Sequence, residues 1–262
     1  MTTTQNTPLP ASTLIIAREN RGKIEVFMVV RHQQIDFASG ALVFPGGKVD
    51  SQDADPALID YLDGPSEDTA TRSIQVAGIR ETFEECGILL ARDRTTSQLI
   101  SGERLRKLTG YRESLHSGEI TLKGFLEREQ LHFACDQLEY FANWVTPEFK
   151  RRRFDTHFFL ARTPDDHFAE HDGMESVDSV WITPKQALAD AQSGKRLVLF
   201  PTICNLDRIG RYSSLDEAMA DTRRSEVIAV SPWIEKREDG NYLRISDKAG
   251  YQITEEKIVR PL

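Results

Sequence analysis

Glu81, Glu84 and Glu85 stand close together in residues 77–90, AGIRETFEECGILL. On a helix, positions i, i+3 and i+4 share one face. Like charges at that spacing cost about 0.2–0.5 kcal/mol per pair in a bare helix. Such a face either stays in water or meets a cation. Ile74, Ala77, Ile79 and Phe83 recur at helical spacing. They put the acids beside a buried stripe, which weakens the solvent-face reading. Clustered carboxylates suit a hard divalent ion, Mg²⁺ or Mn²⁺, which keeps waters for substrate phosphates to replace. The chemistry that follows is phosphoryl or nucleotidyl transfer, the ion screening phosphate charge and activating water.

The helix bearing these acids is predicted from about Thr69 to Cys86. Ser66 or Asp68 can cap its start, and Gly87 suits the left-handed residue that closes it. Upstream, Ala41–Phe44 is predicted as a short strand running into Pro45-Gly46-Gly47. Two glycines after a strand make a tight bend or a close backbone approach, and their carbonyls can join an ion. Taken alone, the bend is an ordinary turn.

The other elements read as a scaffold. Residues 1–10 are expected to be a flexible tail. Ser12–Ala17 and Ile24–Arg31 form an early hairpin. Residues 51–68 read as a surface loop, and Thr96–Leu131 as a helical insertion broken at Gly110 and Ser117-Gly118. Leu138–Thr146 and Phe154–Ala161 are strands flanking Lys150-Arg151-Arg152-Arg153. A run of four cations is most often a solvated turn. In an acidic protein it is equally a phosphate patch, so Arg151, Arg152 and Arg153, with Arg31 at its strand end, are candidate substrate contacts. Later come a strand at Val180–Thr183, a helix from Pro184 to about Gln192, and helices beginning at Pro201 and at Ser213 or Ser214. A last strand covers Val227–Val230, and Asp239-Gly240 is a hairpin signal. One domain over 11–230 is expected, with insertions at about 51–68 and 92–135 and a C-terminal extension over 231–262.

Bulk properties narrow the function. The 262 residues are 39% hydrophobic and 28% charged, enough for a core without staples. A net charge of −8 argues against a nucleic-acid partner. Cys86, Cys135 and Cys204 are scattered without a CxxC pair, so neither a zinc site nor a disulfide framework is implied. MTTTQNTPLP lacks a signal pattern, and no apolar run suggests a membrane span. The final Arg260-Pro261-Leu262 is not a Ser-Lys-Leu address. A cytoplasmic protein is expected.

Arg80-Glu81-Thr82-Phe83-Glu84-Glu85-Cys86-Gly87-Ile88 resembles the core of the Nudix box, G-x5-E-x7-R-E-U-x-E-E-x-G-U with U apolar. Thr82 departs from the usual apolar residue. Gly47 matches the opening glycine, and the acid six places later is Asp53 rather than Glu, with Asp50 as the alternative. Twenty-six residues separate Asp53 from Arg80 where the pattern has seven, so the box is split by about nineteen residues. An interrupted box occurs in the branch that includes the peroxisomal coenzyme A diphosphatases. Phe44-Pro-Gly-Gly47 with Asp50, Arg152-Arg-Phe-Asp-Thr156, and Leu199-Phe-Pro-Thr202 with Asn205-Leu206 are similar to that branch.

The resemblance implies an α+β fold, an α/β/α sandwich with a mixed central sheet, a loop insertion within the box and a helical insertion after it. It implies that Glu84 and Glu85 are the principal metal ligands, joined by Glu81 and the Gly47 carbonyl. Arg80 would pair with a carboxylate and hold the helix. Glu175, six residues before Trp181, would be an extra ligand or base, with Glu170 as rival. The implied partner is a small nucleotide-containing molecule, with coenzyme A or acyl-CoA first and ADP-ribose, NADH and diadenosine polyphosphates as alternatives. A non-catalytic nucleotide-binding role and a homodimer also stay open.

Overall fold

The computed structural model describes residues 7–31, 40–163 and 176–258, without the side chains of Arg31, Ser176 and Val177. Strand β1 spans Leu9–Asn20 and β2 Lys23–Arg31. Their Ala17↔Val26 to Asn20↔Lys23 register makes the antiparallel hairpin expected around Arg21-Gly22. Strand β1 begins at Leu9, earlier than the flexible tail of 1–10 allowed, because Leu9 N donates to Arg153 O at 2.9 Å. Short strands β3 (Leu42–Val43) and β4 (Gly46–Lys48) follow.

After 3₁₀ turns at Ser51–Ala54 and Pro56–Tyr61 come β5 (Leu62–Asp63) and helix α1 (Thr69–Cys86). Helix α1 has the predicted limits. The Asp68 carboxylate accepts from Thr71 N, and Gly87 closes the helix at φ 71°. Strand β6 (Ala91–Asp93), helices α2 (Gly102–Leu108), α3 (Arg112–His116) and α4 (Leu122–Arg128), and strand β7 (Leu131–Ala134) follow. Then come β8 (Glu139–Val145), β9 (Phe154–Arg162), β10 (Ser176–Ile182), α5 (Pro184–Gln192), α6 (Phe200–Ile209) and α7 (Leu215–Arg224). The described chain ends with β11 (Ala229–Val230), β12 (Trp233–Arg237), β13 (Gly240–Arg244) and β14 (Glu255–Lys257).

A mixed sheet forms the centre, in the order β10-β2-β1-β9-β8-β11, with β3 on β2 and β4 on β1. β1 and β9 run parallel; β8 and β9 form an antiparallel pair across the arginine run. Alternation sorts β1 between two cores. Leu14 and Ile16 pack under α1 with Ile79 and Phe83. Ile15 and Ala17 face Ala187, Leu206, Leu215 and Ala218 of α5, α6 and α7. Helices therefore cover both faces, as an α/β/α sandwich requires.

The insertion after the box is less helical than expected. Its helices are flanked by β6 and β7, and β7 also pairs in parallel with β5 from the loop before α1. Leu122 N donates to Gln52 Oε1 at 3.1 Å, and Arg92 Nη1 bridges Asp63 and Asp136. The two insertions are one packed unit. At the C-terminal side, β12, β13 and β14 form the expected hairpin and one more strand. Trp144 Nε1 donates to Tyr251 Oη, which donates to Asn205 Oδ1, joining this part to the sheet and α6.

Candidate active site

Helix α1 lies across β1 and β4 because glycines let it approach. A Cβ on Gly78 would stand 2.5 Å from Ser12 Oγ, and one on Gly47 2.3 Å from Glu81 Cδ. Gly46, at φ 150°, has room for no Cβ, since one would meet Ser12 O at 2.2 Å. That conformation turns Gly46 N toward α1, where it donates to Glu85 Oε2 at 3.0 Å. The Gly46-Gly47 bend and the glutamate helix are thus in direct contact, 39 residues apart in sequence.

Arg80 organises the carboxylates. Its Nε and Nη2 donate to Asp53 Oδ1 and Oδ2 at 2.7 and 2.9 Å. Its Nη1 stands 3.0 Å from Glu81 Oε1 and 3.2 Å from Glu84 Oε2, and Nη2 donates to Lys48 O at 3.2 Å. One guanidinium therefore faces three carboxylates. Burial works to lower the Arg80 pKa, but Asp53, Glu81 and Glu84 outweigh it and hold the charge firmly. Asp53 is the acid of the split box that α1 uses. It is 3% exposed, whereas Asp50 caps the Ser51–Ala54 turn by accepting from Gln52 N.

The electrostatic balance is unfavourable to a bare site. Burial, partly offset by Arg80, pushes the Glu81 carboxyl up to about 7. Burial raises Glu84 as well, and its buried Oε1 has no hydrogen-bond partner among the described residues. An unsatisfied buried carboxylate oxygen costs free energy until something positive reaches it. An all-oxygen, charge-deficient donor set is what a hard divalent ion needs, so the residues fit one. Among the described residues, however, no three Asp, Glu, His or Cys side chains form a ready-assembled metal cluster. Arg80 engages Glu81 and Glu84, and Glu85 accepts from Gly46.

Two residues of the insertion reach this helix and had no motif to reveal them. Arg112 of α3 donates through Nε to Glu84 O at 2.9 Å and through Nη2 to Glu85 O at 2.7 Å. It satisfies carbonyls that a helix end leaves open, and its cation suits that end of the dipole. His116 Nδ1 stands 3.6 Å from Glu84 Oε2.

Other predicted residues lie elsewhere. Arg151, Arg152 and Arg153 are in the β8–β9 turn. Arg152 sits over the Phe154 ring at 5.4 Å, and Arg153 Nε donates to Thr146 O. Arg31 ends β2, its side chain undescribed, and Glu175 and Glu170 fall outside the described residues. A surface cleft of about 470 Å³, lined by Arg208, Arg211, Tyr212 and Asp221 among others, contains none of the predicted site residues. No helix among the described residues is long and apolar enough to cross a membrane.

Comparison with known proteins gives the family. The family model described as the NUDT19 Nudix domain matches residues 65–209, more than half of the chain. Acyl-coenzyme A diphosphatase NUDT19 of Xenopus laevis is 26% identical over 243 residues, covering 76% of this chain and 63% of that protein. The protein of that name from Homo sapiens is 25% identical over 236 residues, covering 73% and 62%. This chain thus spans under two thirds of the length of these relatives. A crystal structure of a NUDIX hydrolase from Alicyclobacillus acidocaldarius superposes with a TM-score of 0.73 at 28% identity, covering 82% of this chain and 96% of that one. The matched span includes α1 with Arg80 and three glutamates, and the chain belongs to the Nudix hydrolase family.

Proposed function

We propose that the chain is a divalent-metal-dependent hydrolase of the pyrophosphate bond in nucleoside-diphosphate-linked substrates, with coenzyme A or acyl-CoA as the preferred class. The observation that carries the chemistry is the pairing around Arg80. One cation faces Asp53, Glu81 and Glu84, and Glu84 Oε1 is buried without a partner. The substrate class rests on the acyl-coenzyme A diphosphatase relatives at 25–26% identity.

Glu84 and Glu85, with Glu81 and the Gly47 carbonyl, would hold Mg²⁺ or Mn²⁺. The bound ion would supply charge screening for the pyrophosphate and polarise the water that attacks it. Arg80, locked by Asp53, keeps the carboxylates in place. Glu81, held between Gly47 and Arg80, is the residue proposed to take a proton from the attacking water. Attack on one phosphorus releases the bridging oxygen with the other phosphate. Coenzyme A would then give adenosine 3′,5′-bisphosphate and 4′-phosphopantetheine. Arg151, Arg152 and Arg153 are suited to the 3′-phosphate, since guanidinium binds phosphate in a bidentate manner.

A substrate panel with Mg²⁺ and Mn²⁺, products identified by mass, tests the proposal. Turnover of CoA or acyl-CoA that EDTA stops is expected, as is its loss in Glu84→Gln and Glu85→Gln. Turnover of ADP-ribose without CoA would overturn the substrate class. Full activity in both variants would overturn the site. Binding without turnover of any dinucleotide would indicate the non-catalytic alternative.

A further inference from the structure

A row of residues crosses the central sheet at the level of the glutamates. Ser12 pairs in register with Gly47 of β4 on one side and with His157 of β9 on the other. His157 pairs in turn with Asn143 of β8. Alternation puts all these side-chain positions on the face that α1 covers, since Leu14 and Phe159, two residues along, pack in the core beneath α1. Glu81 lies against Gly47. His157 is therefore two strand spacings from it, about 10 Å.

Polar groups at this end of the sheet form a connected chain. Tyr140 Oη and His157 Nδ1 are 2.7 Å apart, and His157 Nε2 is 3.5 Å from Asp155 Oδ1. Asn143 Nδ2 donates to the same Asp155 Oδ1 at 2.6 Å. Asn143 is 6% exposed, whereas the side chains of His157 and Asp155 are 20% and 40% exposed. Asp155 Oδ2 has no hydrogen-bond partner among the described residues. A buried amide thus anchors one oxygen of an accessible carboxylate and leaves the other as an acceptor. Between this group and Gly47, Ser12 Oγ is buried without a partner among the described residues. None of these residues belongs to the Nudix box, and the bond to Asp155 also satisfies the buried Asn143 amide.

We infer that Asp155, positioned by Asn143 and by the Tyr140–His157 pair, is a nucleoside subsite accepting hydrogen bonds from a ribose hydroxyl or a purine amine. The inference rests on the proposed function in one respect, that the diphosphate lies beside Glu81. The nucleoside then lies at the open end of β9, beside Asp155. A carboxylate here favours neutral donors and repels a phosphate, which leaves any further phosphate to the arginines of the β8–β9 turn.

Calorimetric titration of the full chain with ADP, 2′,3′-dideoxy-ADP and IDP, each with Mg²⁺, tests this. ADP should bind Asp155→Asn about tenfold more weakly than wild type. One analogue should show the same loss on wild type and no further loss on the variant. The dideoxy analogue identifies the ribose, IDP the amine. Tyr140→Phe, which keeps Asp155 but frees His157, should weaken ADP less, and it carries the test if Asp155→Asn melts early. Wild-type ADP affinity in Asp155→Asn, or in a folded Tyr140→Phe should Asp155→Asn unfold, would overturn the inference. So would equal binding of all three nucleotides to wild type. Asp155-dependent ADP binding by a chain that hydrolyses no dinucleotide would sink the proposed function and leave the subsite standing. EDTA-sensitive hydrolysis with ADP binding indifferent to Asp155 would do the reverse.

Discussion

Both oxygens of Asp53 are held by Arg80, 27 residues later in the chain, with neither side chain more than 5% exposed. Breaking a buried pair of this kind leaves an uncompensated charge. Asp53→Asn should therefore destabilise the protein by about 3–5 kcal/mol. Denaturant unfolding checks the magnitude. Because Arg80 also touches Glu81 and Glu84, Mn²⁺ affinity should change in the same variant. A loss under 1 kcal/mol, about what a surface pair contributes, would show that the pair is not a structural anchor.

Gly46 and Gly47 should respond differently to alanine. At Gly46 a Cβ meets the backbone of Ser12 and Thr13 at a positive φ, so neither side can yield cheaply. Gly46→Ala should cost about 3 kcal/mol or more. At Gly47 the obstacle is the Glu81 carboxylate, which can swing away. Gly47→Ala should melt close to wild type yet bind Mn²⁺ at least tenfold more weakly. Equal loss of stability in the two variants would contradict this distinction.

Glu81 gives a pH dependence with a definite sign. Burial raises its carboxyl from 4.5 to about 7 in the metal-free protein, so the folded chain holds that proton more tightly than the unfolded one. The stability it contributes is complete below about 4.5 and is lost as pH rises toward 7. The melting temperature of the metal-free protein should fall across that window, and Glu81→Gln should flatten the fall. Mn²⁺ affinity should rise over the same range, since the ion requires the deprotonated acid. A profile unchanged by Glu81→Gln would count against the assignment.

Arg112 should act on the glutamate helix without touching its carboxylates. Arg112→Ala removes two charged hydrogen bonds from the Glu84 and Glu85 carbonyls, at a cost of about 1.5–3 kcal/mol. Amide exchange should quicken across residues 85–90, with Arg112→Lys intermediate. Exchange unchanged there would show that the insertion does not support the helix end.

Helix α1 was readable because its cap, apolar spacing and closing glycine all point to the same limits, and the hairpin of β1 and β2 because a turn separates two apolar runs. The Asp53–Arg80 contact was harder to see, since pairing across a long loop leaves no periodic trace. Asp53 and Asp50 look alike in sequence, and only burial separates them. Strands β5, β6 and β7 are too short to display alternation, and the helical spacing around them is the stronger sequence signal. Arg112 and His116 belong to no motif and reach α1 only through the packing of α3.

The parallel pairing of β5 with β7 also bears on how the chain could be rebuilt. The two added segments share one small sheet, so neither is a free-standing module. A chimera that transplanted one into a Nudix protein lacking the other would carry an unzipped strand edge beside its glutamate helix. The two segments have to be moved together.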